Sequence, residues 1–371
     1  MRRIHFSLFI FHFIVLLAMT SCDQMELCFD HDEHAPSYGI NVKAEWQLGW
    51  QYTYEGGPDW EKEWSSYDFG CAYNDLRPSR PEGIRVMVYP EQGGFERYNI
   101  QPEGGHVSLA PGNSSILFYN NGTEYIVFND IGSSATATAT TRTRTRASYT
   151  GSPYTRSGEE QTVSSPDFLF GHYIPSYQAA LNDQLPLLPV SLRPLVCTYL
   201  IRYRFAQGFQ HVALARGALA GMAGSVYLTD GHTNGHIVTV LFDVEGKFEN
   251  SKSRNSENSE SSENSESDYL TVCVNSFGAP NYPNPHYATR AEDDLYGLNL
   301  EVMLRNGKVL KFDFDVSEQV RRQPRGGVIE VDGITITDED ASEGSSGGFD
   351  VSVNGWGEDK EVPLDFGNEK Q

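Results

Sequence analysis

Basic residues are scarce in this sequence, and so are the motifs of common enzymes and nucleic-acid-binding proteins. The 371 residues include 28 Lys and Arg against 50 Asp and Glu, a formal net charge of −22. Nucleic acids are bound through basic surfaces, so no nucleic-acid partner is expected. The chain also lacks a phosphate-binding P-loop and an HExxH zinc helix. We therefore predict a protein that is not an enzyme, with no catalytic residue and no cofactor. A hydrolase with dispersed carboxylates is the alternative that spacing leaves open.

Closely spaced metal ligands are also missing. The acidic run at 30–34, the pair His232 and His236, and the acidic run at 338–340 lack the ligand spacing of known sites. No metal site is therefore predicted. Four cysteines besides Cys22 are far apart and form no C-x-x-C pair, so disulfides and isolated thiols both stay open. They are Cys28, Cys71, Cys197 and Cys273.

The first residues have the organisation of a bacterial export signal. Arg2 and Arg3 precede an apolar run over residues 4–18, which has signal-peptide length and is too short for a comfortable bilayer span. The run leads through Ser21 into Cys22, as in lipoprotein signals. We predict a lipoprotein signal peptide over 1–21 and acylation of Cys22, with palmitate among the chains. An ordinary cleaved signal with an incidental Cys22 is the alternative.

The predicted lipid anchor indicates where in the cell the protein is located. Residues 22–40 are polar and acidic and are interpreted as a tether to the first domain. Three acyl chains on Cys22 would hold the protein firmly in outer-membrane lipid, since two chains already give stable attachment. We expect a protein anchored in the outer membrane at the cell surface.

Short strands joined by turns dominate the rest of the chain. Asn-Gly or Asp-Gly pairs at 121–122, 306–307 and 332–333 lie between apolar segments and predict three β-hairpins. Only residues 212–222 are a candidate helix. The pattern predicts an all-β protein with β-sandwich domains at 41–134 and 167–366. Residues 249–268 hold six acidic and two basic residues and no large apolar side chain, which predicts a disordered insert in the second domain.

Residues 135–166 between these domains are rich in Thr, Arg and Ser. Strict alternation predicts an extended strand with threonines on one face and Ala or Arg on the other. Arg142, Arg144 and Arg146 on one face are not expected in a core. The segment is thus predicted to be a linker or an edge strand, and its arginines are a candidate protease-sensitive run.

Four tryptophans lie close to the predicted mature N-terminus, at Trp46, Trp50, Trp60 and Trp64. Aromatic side chains stack on sugars or anchor protein partners, but in all-β folds they more often fill the core. The spacing of four predicts that Trp46 and Trp50 share one face of a strand.

Several strings together resemble a lipoprotein family of Bacteroidetes that is related to the fimbrillins and their anchoring or accessory subunits. They are ELCFDH at 26–31, YNNGTEYI at 119–126, ATTRTR at 139–144 and ALAGMA at 218–223. The resemblance implies two tandem transthyretin-like β-sandwiches and a role in fimbria assembly or adhesion. Fimbrial subunits, joined by strand addition, are the implied partners.

The sequence departs from the stalk subunits of that family in two ways. The arginine run comes late, and the tail after Thr337 is acidic, with no apolar donor strand. An anchor or accessory subunit, or an adhesin-like binding module, is therefore favoured. The alternative is a surface lipoprotein that binds host or microbial glycans.

Overall fold

The computed structural model describes residues 37–52, 57–67, 69–155, 160–182, 184–244, 268–283, 295–342 and 360–361. The signal peptide, Cys22, Cys28 and almost all of the tether and of the 249–268 insert lie outside the described residues.

The described chain is built mainly of strands. In order, the first twelve are β1 (Ser37–Trp46), β2 (Ile84–Pro90), β3 (Glu96–Ile100), β4 (Gly104–Ser108), β5 (Gly112–Tyr119), β6 (Ile126–Asn129), β7 (Thr138–Thr141), β8 (Arg144–Thr145), β9 (Gln161–Ser164), β10 (Phe170–Ala179), β11 (Leu181–Asn182) and β12 (Leu187–Pro194). The others are β13 (Cys197–Gln207), β14 (Val212–Ala223), β15 (Val226–Tyr227), β16 (Ile237–Val244), β17 (Asp268–Ser276), β18 (Gly297–Leu304), β19 (Val309–Asp315), β20 (Gly327–Thr335) and β21 (Lys360–Glu361).

Three short α-helices accompany the strands: α1 (Trp60–Glu63), α2 (Ser317–Arg322) and α3 (Asp338–Ser342). Within the described ranges, no helix is both long and apolar enough to cross a membrane. The predicted all-β class is confirmed.

The first layered unit holds β1–β5 and β10–β12 in the order β11-β1-β12-β10-β5-β2-β3, with β4 beside β1. Its core contains Ile40, Val88, Phe118 and Leu192, none of them exposed. The sequence boundary at 167 assigns β10–β12 to the second unit. They lie in the first, because β10 pairs with β5 and β12 pairs in parallel with β1.

The second layered unit has two sheets around one core. Strands β17-β13-β20 form one sheet, and β19-β18-β14-β16-β9 form the other. Side chains such as Tyr203, Leu219 and Leu300 are buried between them. A third sheet, β15-β7-β6, covers a separate cluster that includes Leu117 of the first unit and Phe277 near the second.

The candidate helix at 212–222 is wrong, because these residues form strand β14. Its neighbours are β16 and β18, so both of its edges are hydrogen-bonded. Gly221 has a φ of +89°, which a helix does not accommodate. Pairing on both edges and burial outweigh the helix preference of the Ala and Leu residues.

One of the three predicted hairpins is confirmed. Strands β18 and β19 pair across Asn306-Gly307, where Gly307 has a φ of +84°. The hairpin at Asn121-Gly122 is wrong, because β5 is already paired on both edges by β2 and β10. The hairpin at 332–333 is also wrong: β20 runs through these residues, and Gly333, with a φ of +79°, lies at a register shift opposite β13.

The predicted shared face of Trp46 and Trp50 is also wrong. β1 ends at Trp46, which packs edge-on against Phe170 in the first unit, with ring centroids 5.3 Å apart. Trp50 lies beyond the strand end and is fully buried against Leu200 and Val328 of the second unit. The chain after β1 thus reaches across to the second unit.

Candidate binding groove and arginine strap

The alternating Ala and Thr residues of strand β7 lie on its two opposite faces. Ala137 and Ala139 are buried in the cluster beneath this strand, while Thr138 and Thr140 lie on its opposite face. The Thr140-Thr141 doublet shifts the alternation by one residue. Arg142 therefore continues the threonine face, which corrects the expectation that Ala and Arg share a face.

The threonine face borders a groove of about 820 Å³. We define the threonine groove as the space between strands β6 and β7 on one side and β9 and β16 on the other. Its walls carry hydroxyls, amides, one guanidinium and one carboxylate, supplied among others by Thr138, Asn129, Gln161, Arg142 and Asp130. Donors and acceptors are mixed and the charges are few, so the groove suits a polar, largely uncharged ligand.

Two buried polar residues line this groove: Thr141, whose hydroxyl has a partner in Ser164 O, and Ser225. The side chain of Ser225 is 5% exposed, and its hydroxyl has no hydrogen-bond partner among the described residues. A buried hydroxyl without a partner costs about 1–3 kcal/mol, which a ligand or water in the groove would relieve.

Beyond β7 the chain crosses the outer face of the five-stranded sheet. We call residues 142–155 the arginine strap. Arg144 pairs with Asp243 at 2.5 Å, and Arg146 donates to the carbonyl oxygens of Gly217 at 3.0 Å and Phe242 at 3.3 Å. Arg146 is 4% exposed, so the expectation that the arginines stay out of the interior is wrong for this residue. Carbonyl acceptors and the nearby Asp243 carboxylate offset the loss of water around its charge.

Glu301 fastens the next part of the strap. Its carboxylate accepts hydrogen bonds from Ser148 Oγ at 2.8 Å and Arg216 Nε at 2.9 Å, and Lys311 Nζ lies 3.1 Å away. Burial raises the pKa of Glu301, but these donors outweigh it and hold the pKa below its ordinary value. The strap is therefore held by ionised groups on the sheet.

The chain returns to the sheet at Glu160, before β9. One carboxylate oxygen of Glu160 accepts from the backbone N–H of Gly221 at 3.0 Å and from Thr239 Oγ1 at 2.8 Å. Strand β9 then pairs in parallel with β16. Thr141 Oγ1 donates to Ser164 O at 3.0 Å and ties β7 to the end of β9.

Among the remaining candidate residues, His236 lines the threonine groove, and Cys273 lines a second pocket together with Arg144 of the strap. Cys71, Cys197 and Cys273 are free thiols, and burial raises the pKa of both Cys197 and Cys273 to about 11. His232 stacks on Tyr227 with ring centroids 3.8 Å apart. In the described part of the chain, no three His, Cys, Asp or Glu side chains are grouped as a metal site would need.

Sequence reasoning found the arginine run and the threonine strand but missed the groove. Ser225, Asn129 and Gln161 come from three separate stretches of sequence and meet only through the pairing of β7, β9 and β16. No local motif marks them.

Comparison with known proteins shows which family and which relative this chain is similar to. Residues 73–243 match the family described as Domain of unknown function (DUF5119). The chain is 24% identical over 212 residues to a Bacteroides ovatus protein named "Putative fimbrium anchoring subunit Fim4B", a match that covers 56% of this chain and 51% of that protein. The chain thus spans about half the length of the curated relative it matches.

The fold is also similar to a solved structure. A crystal structure titled as a "putative adhesin" from Bacteroides ovatus superposes with a TM-score of 0.51 and 20% identity, covering 86% of this chain and 97% of that one. At this identity the likeness shows the fold alone. Together the matches confirm the predicted resemblance to fimbrillin-like proteins of Bacteroidetes. The transthyretin-like topology and the tandem arrangement stay predictions, apart from the boundary at 167 corrected above.

Proposed function

We propose that this protein is a lipid-anchored fimbrial anchor or accessory subunit at the cell surface, and not an enzyme. The match to a protein named as a fimbrium anchoring subunit supports this role. The structural observation that carries it is the crossing of the chain between the two layered units. An anchor transmits force between fibre and lipid, which requires that its parts do not separate.

The first crossing is the segment after β1. Thr198 N donates to Trp50 O at 2.8 Å, and Tyr52 N donates to Arg325 O at 3.0 Å. Trp60 Nε1 donates to Gln323 Oε1 at 3.0 Å. Through these bonds a segment of the first unit covers the outer face of the β17-β13-β20 sheet.

The second crossing is the excursion between β5 and β10, which contains β7, the strap and β9. It leaves the first unit at Tyr119, joins the second unit through β9 and returns at Phe170. Arg325, 3% exposed, closes the junction by donating to the carbonyls of Leu195, Gly231 and Phe277 at 3.1–3.2 Å. The two units are therefore expected to resist separation as one body.

We place the contact with a partner subunit in the threonine groove. Side chains on one face of a strand repeat about every 6.6–6.8 Å, which is also the two-residue repeat of an extended peptide lying alongside it. The largely uncharged mixture of donors and acceptors, with Ser225 unpaired among the described residues, suits a polypeptide backbone. Of the four tryptophans that motivated the glycan-binding alternative, Trp50 and Trp64 are buried in a core and are not free to stack on a sugar.

Copurification from membranes tests the proposal. The full-length protein, extracted in mild detergent, is expected to bring down fimbrial subunits in high-mass ladders. Thr140→Arg, which fills the groove, should abolish the ladders, while the matched variant Thr335→Arg, at an exposed position of β20 away from the groove, tests whether added charge alone has this effect. Retention on immobilised polysaccharide without subunits would instead support the glycan-binding alternative.

The lipid anchor and the arginine run are parts of the same proposal. Cys22→Ser should abolish incorporation of labelled palmitate and release the protein from membranes. Cleavage at Arg142, Arg144 or Arg146 is proposed as a maturation step. Because Arg146 is buried and Arg144 is ion-paired, the strap would have to leave the sheet before a protease reaches either residue.

A further inference from the structure

The β11–β12 turn exposes two leucines. Leu181 is 54% exposed and Leu187 is 64% exposed, the two highest values among the large apolar side chains of the described chain. Single apolar residues on a surface are ordinary, so exposure alone does not make a site. These two leucines are a candidate site because they lie beside the first residues of strand β1.

Both leucines lie beside the point where the chain enters the first unit. Leu181 pairs with Tyr38, and Leu187 pairs with Asn41 on the same strand, β1. Leu185, between them, approaches Gly39: its Cδ2 lies 3.3 Å from where a Cβ on Gly39 would be. The turn and the first residues of β1 therefore form one end of the molecule.

The predicted anchor lies a short distance away along the chain. Cys22 precedes Ser37 by 15 residues, a tether whose average span is about 20 Å as a coil and at most about 50 Å when extended. A tether of this length keeps the leucine end of the protein close to the lipid surface. It also raises the local concentration of the leucines at that surface, so a contact too weak to bind membranes alone can persist.

The charge pattern fits an apolar contact. Residues 179–189 contain one charged residue, Asp183, and no Lys or Arg. Attraction to anionic headgroups therefore contributes nothing here, and the contact depends on burial of leucine side chains in the interfacial region.

We propose that Leu181 and Leu187 form a membrane-contact edge that rests on the lipid surface and orients the anchored protein. The proposal depends on acylation of Cys22, which is part of the proposed function. The edge directs the β1 end towards the bilayer and the opposite parts of the molecule away from it.

Fluorescence quenching in vesicles tests the edge. The lipidated full-length protein, with Cys28, Cys71 and Cys273 replaced by Ser, is labelled with an environment-sensitive dye through Gln184→Cys in the exposed turn. A matched sample carries the label through Glu82→Cys, at the exposed bend before β2 and at the opposite end of strands β10, β5 and β2. Both are incorporated into phosphatidylcholine vesicles with brominated acyl chains. The label at 184 is expected to shift to the blue and to be quenched, whereas the label at 82 should show neither change.

The leucines themselves are tested by the double variant Leu181→Ser, Leu187→Ser. It should still float with the vesicles, because the acyl chains remain, but quenching at 184 should fall to the level at 82. Equal quenching at both positions in floating wild-type protein would overturn the proposal, as would quenching that survives the double substitution. A blue shift without vesicles that grows with protein concentration would show a second copy on the leucines and would overturn it too.

Flotation of the wild-type protein with the vesicles separates the two proposals, and Cys22→Ser is the control that should not float. If the wild-type protein also fails to float, the proposed acylation is wrong, and so is the lipid-anchored function. If it floats without contact at 184, only the membrane-contact edge is wrong.

Discussion

The guanidinium of Arg146 lies against the carbonyl oxygen of Gly217 at 3.0 Å, on the outer face of the five-stranded sheet. Gly217 also makes room for the ring of Phe242 on the inner face of the sheet, since an added Cβ would lie 2.4 Å from that ring and 2.8 Å from Asn299 O. The backbone of Gly217 therefore binds the strap, while its lack of a side chain allows the core beneath to pack.

Gly217→Ala should lower the free energy of unfolding by about 1–3 kcal/mol, because the added methyl overpacks strand β14 against Phe242. The urea midpoint measures the change. Gly122→Ala is the matched control, since an added Cβ there meets no atom within 4 Å. Equal midpoints for the two variants would show that the sheet accommodates the methyl.

Arg146→Lys should destabilise the fold by about 1–3 kcal/mol, because a single ammonium does not reproduce the forked contacts to Gly217 and Phe242 and leaves a buried acceptor unpaired. Arg80→Lys, in a surface ion pair with Glu103, should change stability by less than about 1 kcal/mol. A lysine that leaves the unfolding midpoint unchanged would mean that Arg146 is held by packing alone.

Stability should fall in acid partly through Glu301. Its pKa is lower in the folded protein than in the unfolded chain, so its contribution is fully present above the unfolded pKa of about 4.3. That contribution is lost as the pH falls from there through the folded pKa. Urea midpoints measured from pH 7 down to acid should show a smaller loss for Glu301→Gln than for the wild type. A loss in acid as large for Glu301→Gln as for the wild type would contradict this prediction.

Release of the strap should control cleavage at the arginine run. Glu301→Gln weakens the bonds to Ser148 and Arg216, so an arginine-specific protease should cut after Arg142 and Arg144 faster than in the wild type. Mass spectrometry of the fragments over time measures the rates, with cleavage after Arg305, exposed in the β18–β19 turn, as the internal reference. Wild-type cleavage in the strap as fast as after Arg305 would contradict the protection inferred from the structure.

Loss of the Trp50 side chain should weaken the contact between the two layered units. Trp50→Ala removes a fully buried ring packed against Trp64 and Leu200 and should cost about 3–5 kcal/mol, seen as a lower urea midpoint by circular dichroism. Phe95→Ala, at a 45% exposed side chain, should change stability far less. A second unfolding transition in the tryptophan variant alone would show that this contact couples the units.

Local signals in the sequence correctly predicted what depends on near neighbours. The Asn306-Gly307 turn forms because both flanking strands pair across it, and the Ala–Thr alternation before residue 141 matches the two faces of β7. The same signals failed at Asn121-Gly122 and at 332–333. There the neighbouring strand edges are occupied by distant partners, which a turn motif does not record.

The sequence by itself determined the all-β class, the excess of acidic residues and the resemblance to fimbrillin-like proteins, since these follow from composition, period and local strings. Only the tertiary structure decided that 212–223 is a strand, that β10–β12 belong with β1, and that Arg146 is buried. Strand pairing and burial join residues far apart in the chain, so their energies override local preference. The threonine groove and the leucine edge beside β1 exist only through such pairing.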